Sequence, residues 1–270
     1  MWKSKKHKLL VPRRANSHKG DYGRVLIVAG SEGMTGAAVL ASRGAMRSGA
    51  GLTYLAVPKN LVNFVDSLTP EVITLPFNKI KTVNPDVVAI GPGLGVNRNT
   101  KKILSSLISD ISSLIIDADA LNVLANNFNL LKKSKSEIIL TPHPGEMSRL
   151  IKMPTAFVQK NRTKVAKDLA AKLGVIVVLK GHATVVADAA GRVYINKTGN
   201  PGMASGGVGD VLTGMIAAFK AQGLTAWQAA TVGVQVHGLA GDLAAKESGQ
   251  PGLIASDLVE KIPYAIQKNY

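Results

Sequence analysis

An α/β fold, with a mostly parallel sheet covered by helices on both faces, is what the sequence predicts, on three observations. Short runs of Val, Ile and Leu alternate with helical patterns from Arg24 onward, the rhythm of consecutive βαβ units. These runs are continuously apolar, as expected of strands buried on both sides. Glycine-rich segments follow several of them, where an open parallel sheet receives its ligands.

The first strand is read at Val25-Leu26-Ile27-Val28, followed by a helix of small residues after Gly36. Further strands are predicted at 52–57, 72–75, 87–90, 114–116, 138–140 and 175–179. Between residues 155 and 173, the spacing of Val158, Val165, Leu169 and Leu173 among lysines and arginines predicts one amphipathic helix ended by Gly174. Segments 183–187 and 193–195, joined by Asp188-Ala189-Ala190-Gly191, read as a hairpin, and helices are expected at about 208–222, 225–246 and 255–267. No internal repeat or Pro-, Gly- or Ser-rich linker divides this pattern, which gives a basic arm over 1–19 and one domain over 20–270.

With 270 residues, 46% of them hydrophobic, the chain can bury one large core. No uninterrupted run of 18 apolar residues occurs and the four lysines among the first ten residues precede no apolar segment, so neither a membrane span nor a signal peptide is expected. The absence of cysteine excludes disulfides, thiolate metal sites and a thiol nucleophile, and fits the cytosol. Residues 1–24 contribute +7 of the net +16 with only Trp2 and Tyr22 as aromatics, which reads as a solvated basic arm rather than a nucleic-acid surface.

The strongest local signal is Asn200-Pro201-Gly202-Met203-Ala204-Ser205-Gly206-Gly207-Val208-Gly209-Asp210, running directly into a helix. Backbone N–H groups near Gly207, Val208 and Gly209 can form an anion cradle reinforced by the helix dipole. Asp210, in the first turn, either caps the helix or takes a proton from a substrate hydroxyl. Gly95 stands in a turn after a strand where a side chain would block a ligand, and Ala37 at a helix start where backbone donors face outward. His143 lies between two prolines, which restrict the direction of its imidazole. Lys180 ends a strand and emerges at the sheet edge, either as a phosphate ligand or as a simple strand-end charge. Asp117 and Asp119 read either as caps of the following helix or as site residues.

Five segments occur in one order: Lys19-Gly20-Asp21-Tyr22-Gly23 with Ala29-Gly30-Ser31 and Thr35-Gly36-Ala37-Ala38; Gly91-Pro92-Gly93-Leu94-Gly95; Asp117-Ala118-Asp119-Ala120-Leu121-Asn122; Thr141-Pro142-His143-Pro144-Gly145-Glu146; and Lys180-Gly181-His182-Ala183-Thr184 with the Gly-Asp loop. In these, from about Gly20 to the C-terminus, the chain resembles the ADP/ATP-dependent NAD(P)H-hydrate dehydratases of the ribokinase-like superfamily. The resemblance implies a ribokinase-like three-layer sandwich and the dehydration of the S-form of hydrated NADH or NADPH, with Mg²⁺ and with ADP or ATP as co-substrate. It also implies that Ala37, Gly95, Asp119, Asn122, His143 and Asp210 meet the hydrated nucleotide, with Asp210 catalytic, while Lys180, Gly181, His182, Ala183, Thr184 and Gly209 hold the adenine nucleotide. No metal ligands are assigned.

The implied setting is the cytoplasm and the implied assembly a homotetramer, with no nucleic-acid or membrane partner. Ser205 and Val208 depart from the threonines that relatives often carry, which removes a hydroxyl at 208 but leaves the backbone cradle. Many relatives carry an N-terminal epimerase domain, which the 23 residues before the first strand do not accommodate. Two alternatives remain at this stage: a superfamily kinase of a small hydroxylated vitamin precursor, which needs Asp210 and the glycine loop but not His143 or Gly95, and a non-catalytic RNA- or membrane-associated protein that works through its basic arm.

Overall fold

A computed structural model of the chain describes residues 13–269. The strands among them are β1 (Arg24–Val28), β2 (Leu52–Val57), β3 (Ile73–Pro76), β4 (Val87–Ile90), β5 (Ser113–Ile116), β6 (Glu137–Leu140), β7 (Ile176–Leu179), β8 (Val185–Ala187) and β9 (Val193–Ile195). They form one sheet in the order β3-β2-β1-β4-β5-β6-β7-β8-β9. The first seven run parallel, and β8 and β9 are added antiparallel as a hairpin. Its turn is closed by Asp188, whose carboxylate accepts the backbone N–H of Arg192 at 2.8 Å.

The apolar runs account for the layers. Val25 and Ile27 of β1 enter one core with α1 (Thr35–Arg47), α8 (Val208–Ala221), α9 (Ala226–Ser248) and α10 (Ala255–Asn269). Leu26 and Val28 point the other way, into a core with α3 (Arg98–Asp110), α4 (Ala118–Leu124), α5 (Pro144–Ile151) and α7 (Arg162–Leu173). A helix-sheet-helix sandwich results, as the two-sided apolar character of the strands requires. No described helix is long and apolar enough to cross a membrane.

From β1 the chain builds outward through β2 to β3 and then returns to the opposite side of β1 as β4. Loops diverge at such a switch point and leave a crevice. Here they are tied to each other: Gly30 N–H donates to the Pro92 carbonyl at 2.8 Å and Ser31 Oγ to the Gly93 carbonyl at 2.7 Å.

Two expectations need correction. The single helix over 155–173 is two helices, α6 (Thr155–Lys160) and α7, broken at Asn161. Its side-chain amide donates to the Phe157 carbonyl at 2.9 Å, competing with the backbone as short amide side chains do. The strand at 183–187 begins only at Val185, because Gly181 (φ +128°) and Ala183 (φ +52°) belong to a turn in which Thr184 Oγ1 donates to the Gly181 carbonyl at 2.9 Å.

Of the basic arm, residues 1–12 lie outside the described residues. Arg13 donates to the Gly49 carbonyl at 3.0 Å and stacks 4.2 Å over the Tyr22 ring, while the Tyr22 hydroxyl donates to Ser17 Oγ at 2.6 Å. Mostly exposed, residues 13–22 are thus attached to the domain.

Helix α8 crosses α1 with backbone close to backbone. A Cβ at Gly44 would lie 2.4 Å from the Val211 carbonyl oxygen, and one at Gly214 only 1.9 Å from that of Ala41. Gly214→Ala is therefore expected to force the helices apart and destabilise the protein by about 2–3 kcal/mol, the usual cost of overpacking, read as a lowered midpoint in thermal unfolding.

Candidate active site

The loops after β1, β4, β5, β6 and β7 meet the first turn of α8 at the C-terminal edge of the sheet. The first hydrogen bond of α8 runs from Val211 N–H to the Gly207 carbonyl at 3.2 Å, so the N–H groups of Val208, Gly209 and Asp210 have no partner within the helix. Gly207 holds a left-handed φ of +84°, and a Cβ there would meet Leu40 Cδ1 at 2.3 Å. Glycine answers both constraints.

Lys180 is the electrostatic centre. Its side chain is 15% exposed, and Nζ lies 2.6 Å from Asp117 Oδ1 and 3.9 Å from Glu146 Oε2. Asp117, 1% exposed, receives the Thr213 hydroxyl of α8 on its other oxygen at 2.5 Å. Burial favours neutral Lys180, yet Asp117 and Glu146, with the hydrogen bond to Asp117, outweigh it and raise the lysine's pKa. Asp210 is pushed up to about 7, mostly by burial and next by the charge of Asp117, against the pull of Lys180. Glu146 is raised to about 7 chiefly by burial.

His143 N-caps α5. Its Nδ1 accepts the Gly145 N–H at 3.0 Å, which places the proton on Nε2, 3.3 Å from Glu146 Oε1. Burial, with the charges of Lys180 and Arg149, holds its pKa below the usual value and the ring neutral at pH 7.

A comparison with known proteins places this geometry in context. The model of the NAD(P)H-hydrate dehydratase family matches residues 25–264. The chain belongs to that family. It is 37% identical over 254 residues to the ADP-dependent (S)-NAD(P)H-hydrate dehydratase of Neisseria meningitidis, covering 91% of this chain and 86% of that one. To the bifunctional NAD(P)H-hydrate repair enzyme of Moorella thermoacetica it is 41% identical over 274 residues, covering 95% of this chain and 52% of that protein. It thus spans about half the length of such bifunctional relatives. The crystal structure of the Bacillus subtilis ADP/ATP-dependent NAD(P)H-hydrate dehydratase, co-crystallized with ATP/Mg²⁺, superposes with a TM-score of 0.89 at 35% identity, covering 97% of this chain and 95% of that one. A ribokinase-like superfamily protein of Enterococcus faecalis superposes with a TM-score of 0.84 at 29% identity, covering 96% of this chain and 91% of that one, and the three-layer fold is ribokinase-like.

In this dehydratase-family chain the residues singled out from sequence come to one end of the sheet, with several changes of role. Gly95 keeps the open turn read from sequence, with φ +74°, and its N–H donates to Asp119 Oδ2 at 2.8 Å. Asn122 Oδ1 accepts Arg149 Nε at 2.7 Å, tying α4 to α5. Both His143 nitrogens face protein atoms, so its exposed ring, rather than a free nitrogen, is what it presents outward. Lys180 leaves a strand interior to the sheet, between β6 and β8, and is no free strand-end charge. Asp117 stands at the N-cap of α4 without a capping bond, its carboxylate being given to Lys180 and Thr213. Ala37 and Gly95 line the switch-point loops, where a Cβ at Gly93 would lie 3.2 Å from that of Ala37. Asp210 receives no hydrogen bond among the described residues, so it is not a cap. His182 and Gly181 stay exposed beyond Lys180, beside Ala183 and Thr184.

Sequence reasoning missed Glu146 and Thr213. The buried Glu146 stood inside a quoted motif and could have been suspected as a charge on the apolar side of a helix. Thr213 gave no signal, since its partner is 96 positions away.

Replacing Lys180 by Met removes the cation from among buried carboxylates. At pH 8 the variant is expected to lose about 3–5 kcal/mol, as when one partner of a buried pair is deleted. Glu146 and Asp210 then bind protons more tightly in the folded state, so stability should be highest in acid and fall as the pH rises through 7, more steeply than in the wild type. Thermal melts from pH 5 to 9 measure that slope.

Proposed function

We propose that this chain dehydrates the S-form of hydrated NADH and NADPH, using ADP or ATP, and so restores the normal cofactors. The observation that carries the reading is Asp210, a carboxylate pushed up to a pKa of about 7 and without a hydrogen-bond partner among the described residues, next to the N–H groups of a helix N-terminus that have no partner within the helix and to the Lys180 ammonium. A general base works best when its pKa lies near the working pH, and the three N–H groups are suited to a transferring phosphoryl group.

The residues present fit a nucleotide with Mg²⁺. At Gly209 a Cβ would occupy space 3.5 Å from Lys180 Nζ, the space left to a phosphate. Mg²⁺ takes few protein carboxylates when phosphates and water supply the rest; it would be held chiefly by the nucleotide phosphates, whose charge it would neutralise, because Asp117 and Glu146 are buried and engaged with Lys180, Thr213 and His143. In the reaction Asp210 accepts the proton of the hydroxyl on the hydrated ring, and the oxygen attacks the terminal phosphorus, releasing AMP or ADP. The ring nitrogen's electron pair then expels phosphate, and loss of a proton from the neighbouring ring carbon restores the double bond. The work of the protein is positioning and charge stabilisation.

Lys180, Gly181, His182, Ala183 and Thr184 are read as the adenine-nucleotide side, and Ala37, Gly95, Asp119, Asn122 and His143 as the hydrate side at the switch point. A cytoplasmic setting and a homotetramer complete the reading. It is tested by incubating the chain with hydrated NADH and ADP or ATP and following the reduced-nicotinamide absorbance. Recovery with release of free phosphate supports it; a stable phosphorylated product points instead to a kinase of a small hydroxylated compound.

Asp210→Asn is expected to lower turnover by about 10²–10⁴, the scale of a lost general base. Because burial disfavours the charged carboxylate, the same variant should unfold roughly 2–4 °C higher at pH 8, a gain that vanishes as the pH falls toward 4. For His143→Ala the KM of the hydrate should rise about tenfold, the weight of one aromatic contact, with ADP affinity unchanged. Equal loss of both affinities contradicts its place on the hydrate side.

A further inference from the structure

Helix α9 carries a buried histidine that the mechanism does not use. His237 is 8% exposed, and its Nε2 lies 2.9 Å from the carbonyl oxygen of Val208, the first residue of α8. Burial drives its pKa down to about 4. The ring is therefore neutral, and since a carbonyl can only accept, the proton sits on Nε2. The carbonyl has a second lone pair for its ordinary helical bond.

The rest of that face of α9 serves the same loop. A Cβ at Gly238 would fall 2.1 Å from Thr198 Oγ1 and one at Gly241 2.3 Å from Met203 Sδ, so both glycines admit the chain leading to α8. Asp242 accepts the Gly199 N–H and the Asn200 side-chain amide, each at 3.0 Å. Positions 237, 238, 241 and 242 lie on one side of a helix of 3.6 residues per turn. Together they form a seat for residues 198–208.

We propose that His237 is a positioning residue for nucleotide phosphate: by donating Nε2–H to the Val208 carbonyl it fixes the plane of the Val208–Gly209 peptide and so aims the Gly209 N–H at the transferring phosphoryl group. This rests on the reading that the first turn of α8 holds phosphate. The peptide unit is planar and trans, so its C=O and N–H point in opposite directions and holding one end sets the other. A carbonyl that accepts a bond also polarises the N–H of the same peptide unit, strengthening it by about 10–30%. A neutral imidazole does this without adding a charge beside Lys180.

The test compares His237→Leu, of similar bulk but without a donor, with His237→Gln, whose amide nitrogen reaches about as far as Nε2. Calorimetric titration of the full chain with ADP and, separately, with adenosine is the readout, alongside KM for hydrated NADH. The leucine variant should bind ADP about tenfold more weakly, the size of one hydrogen bond to a charged acceptor, with adenosine affinity and hydrate KM within about twofold. Glutamine should restore ADP binding to within about threefold of the wild type.

Unchanged ADP affinity in His237→Leu, or an equal loss for adenosine, overturns the proposal. If the leucine variant does not fold, His237→Asn, whose amide falls short of Val208, makes the same comparison with His237→Gln. Gly209→Val separates the two readings. Weak ADP binding there with normal binding in His237→Leu rejects only the role of His237, whereas normal ADP binding in Gly209→Val rejects the phosphate cradle itself.

Discussion

An ammonium withdrawn from water at the end of a buried strand must be surrounded by negative charge, and Lys180 meets that condition with Asp117 at 2.6 Å and Glu146 at 3.9 Å. The requirement runs both ways. Asp117, Glu146 and Asp210 could not share so small a buried space without a cation among them. Two of these carboxylates are nevertheless raised to about 7, so the lysine does not fully offset burial and mutual repulsion. The incomplete compensation is what suits Asp210 to the role of base proposed for it near neutral pH, at a cost in stability. Sites that tune carboxylates upward generally show this exchange.

The second constraint is the placement of one helix N-terminus. Helix α8 is held along its length by backbone contact with α1 at Gly44 and Gly214, and near its start by three independent ties: Leu40 packed against Gly207, Thr213 bonded to Asp117, and His237 bonded to the Val208 carbonyl. Two of the ties come from neighbouring helices of the same layer, α1 and α9, and the third from the end of β5. A cradle of backbone donors is useful only if it keeps its shape without the ligand, since otherwise ordering it would consume binding energy.

Strand ends supply the remaining side chains, and the sheet order decides which can meet. Because β4 to β7 follow one another outward from β1, the segments after them lie in a row, with Ala37 and Gly95 at the crevice between β1 and β4 and Lys180 and Thr184 farther along, after β7. The two substrates of the proposed reaction would need two such regions joined by one reacting centre. Asp210 stands in electrostatic contact with both, through Asp119 on one side and Lys180 on the other.

The sequence by itself determined the strand and helix order, the two-sided burial of the strands, and the loops in which the chemistry lies, because apolar runs, their spacing and glycine-rich turns act over a few neighbouring residues. It also indicated Asp210, His143 and Lys180 as residues of interest. It did not determine what they touch. That Asp117 leaves its capping position for Lys180, that Asp119 uses the Gly95 N–H, and that Glu146 and Thr213 belong to the site were decided only by the tertiary structure. A buried ion pair or a helix crossing joins segments 60 to 100 positions apart, as in Lys180 with Asp117 and Thr213 with Asp117. Its energy depends on distance and dielectric in the folded chain, which local periodicity does not contain.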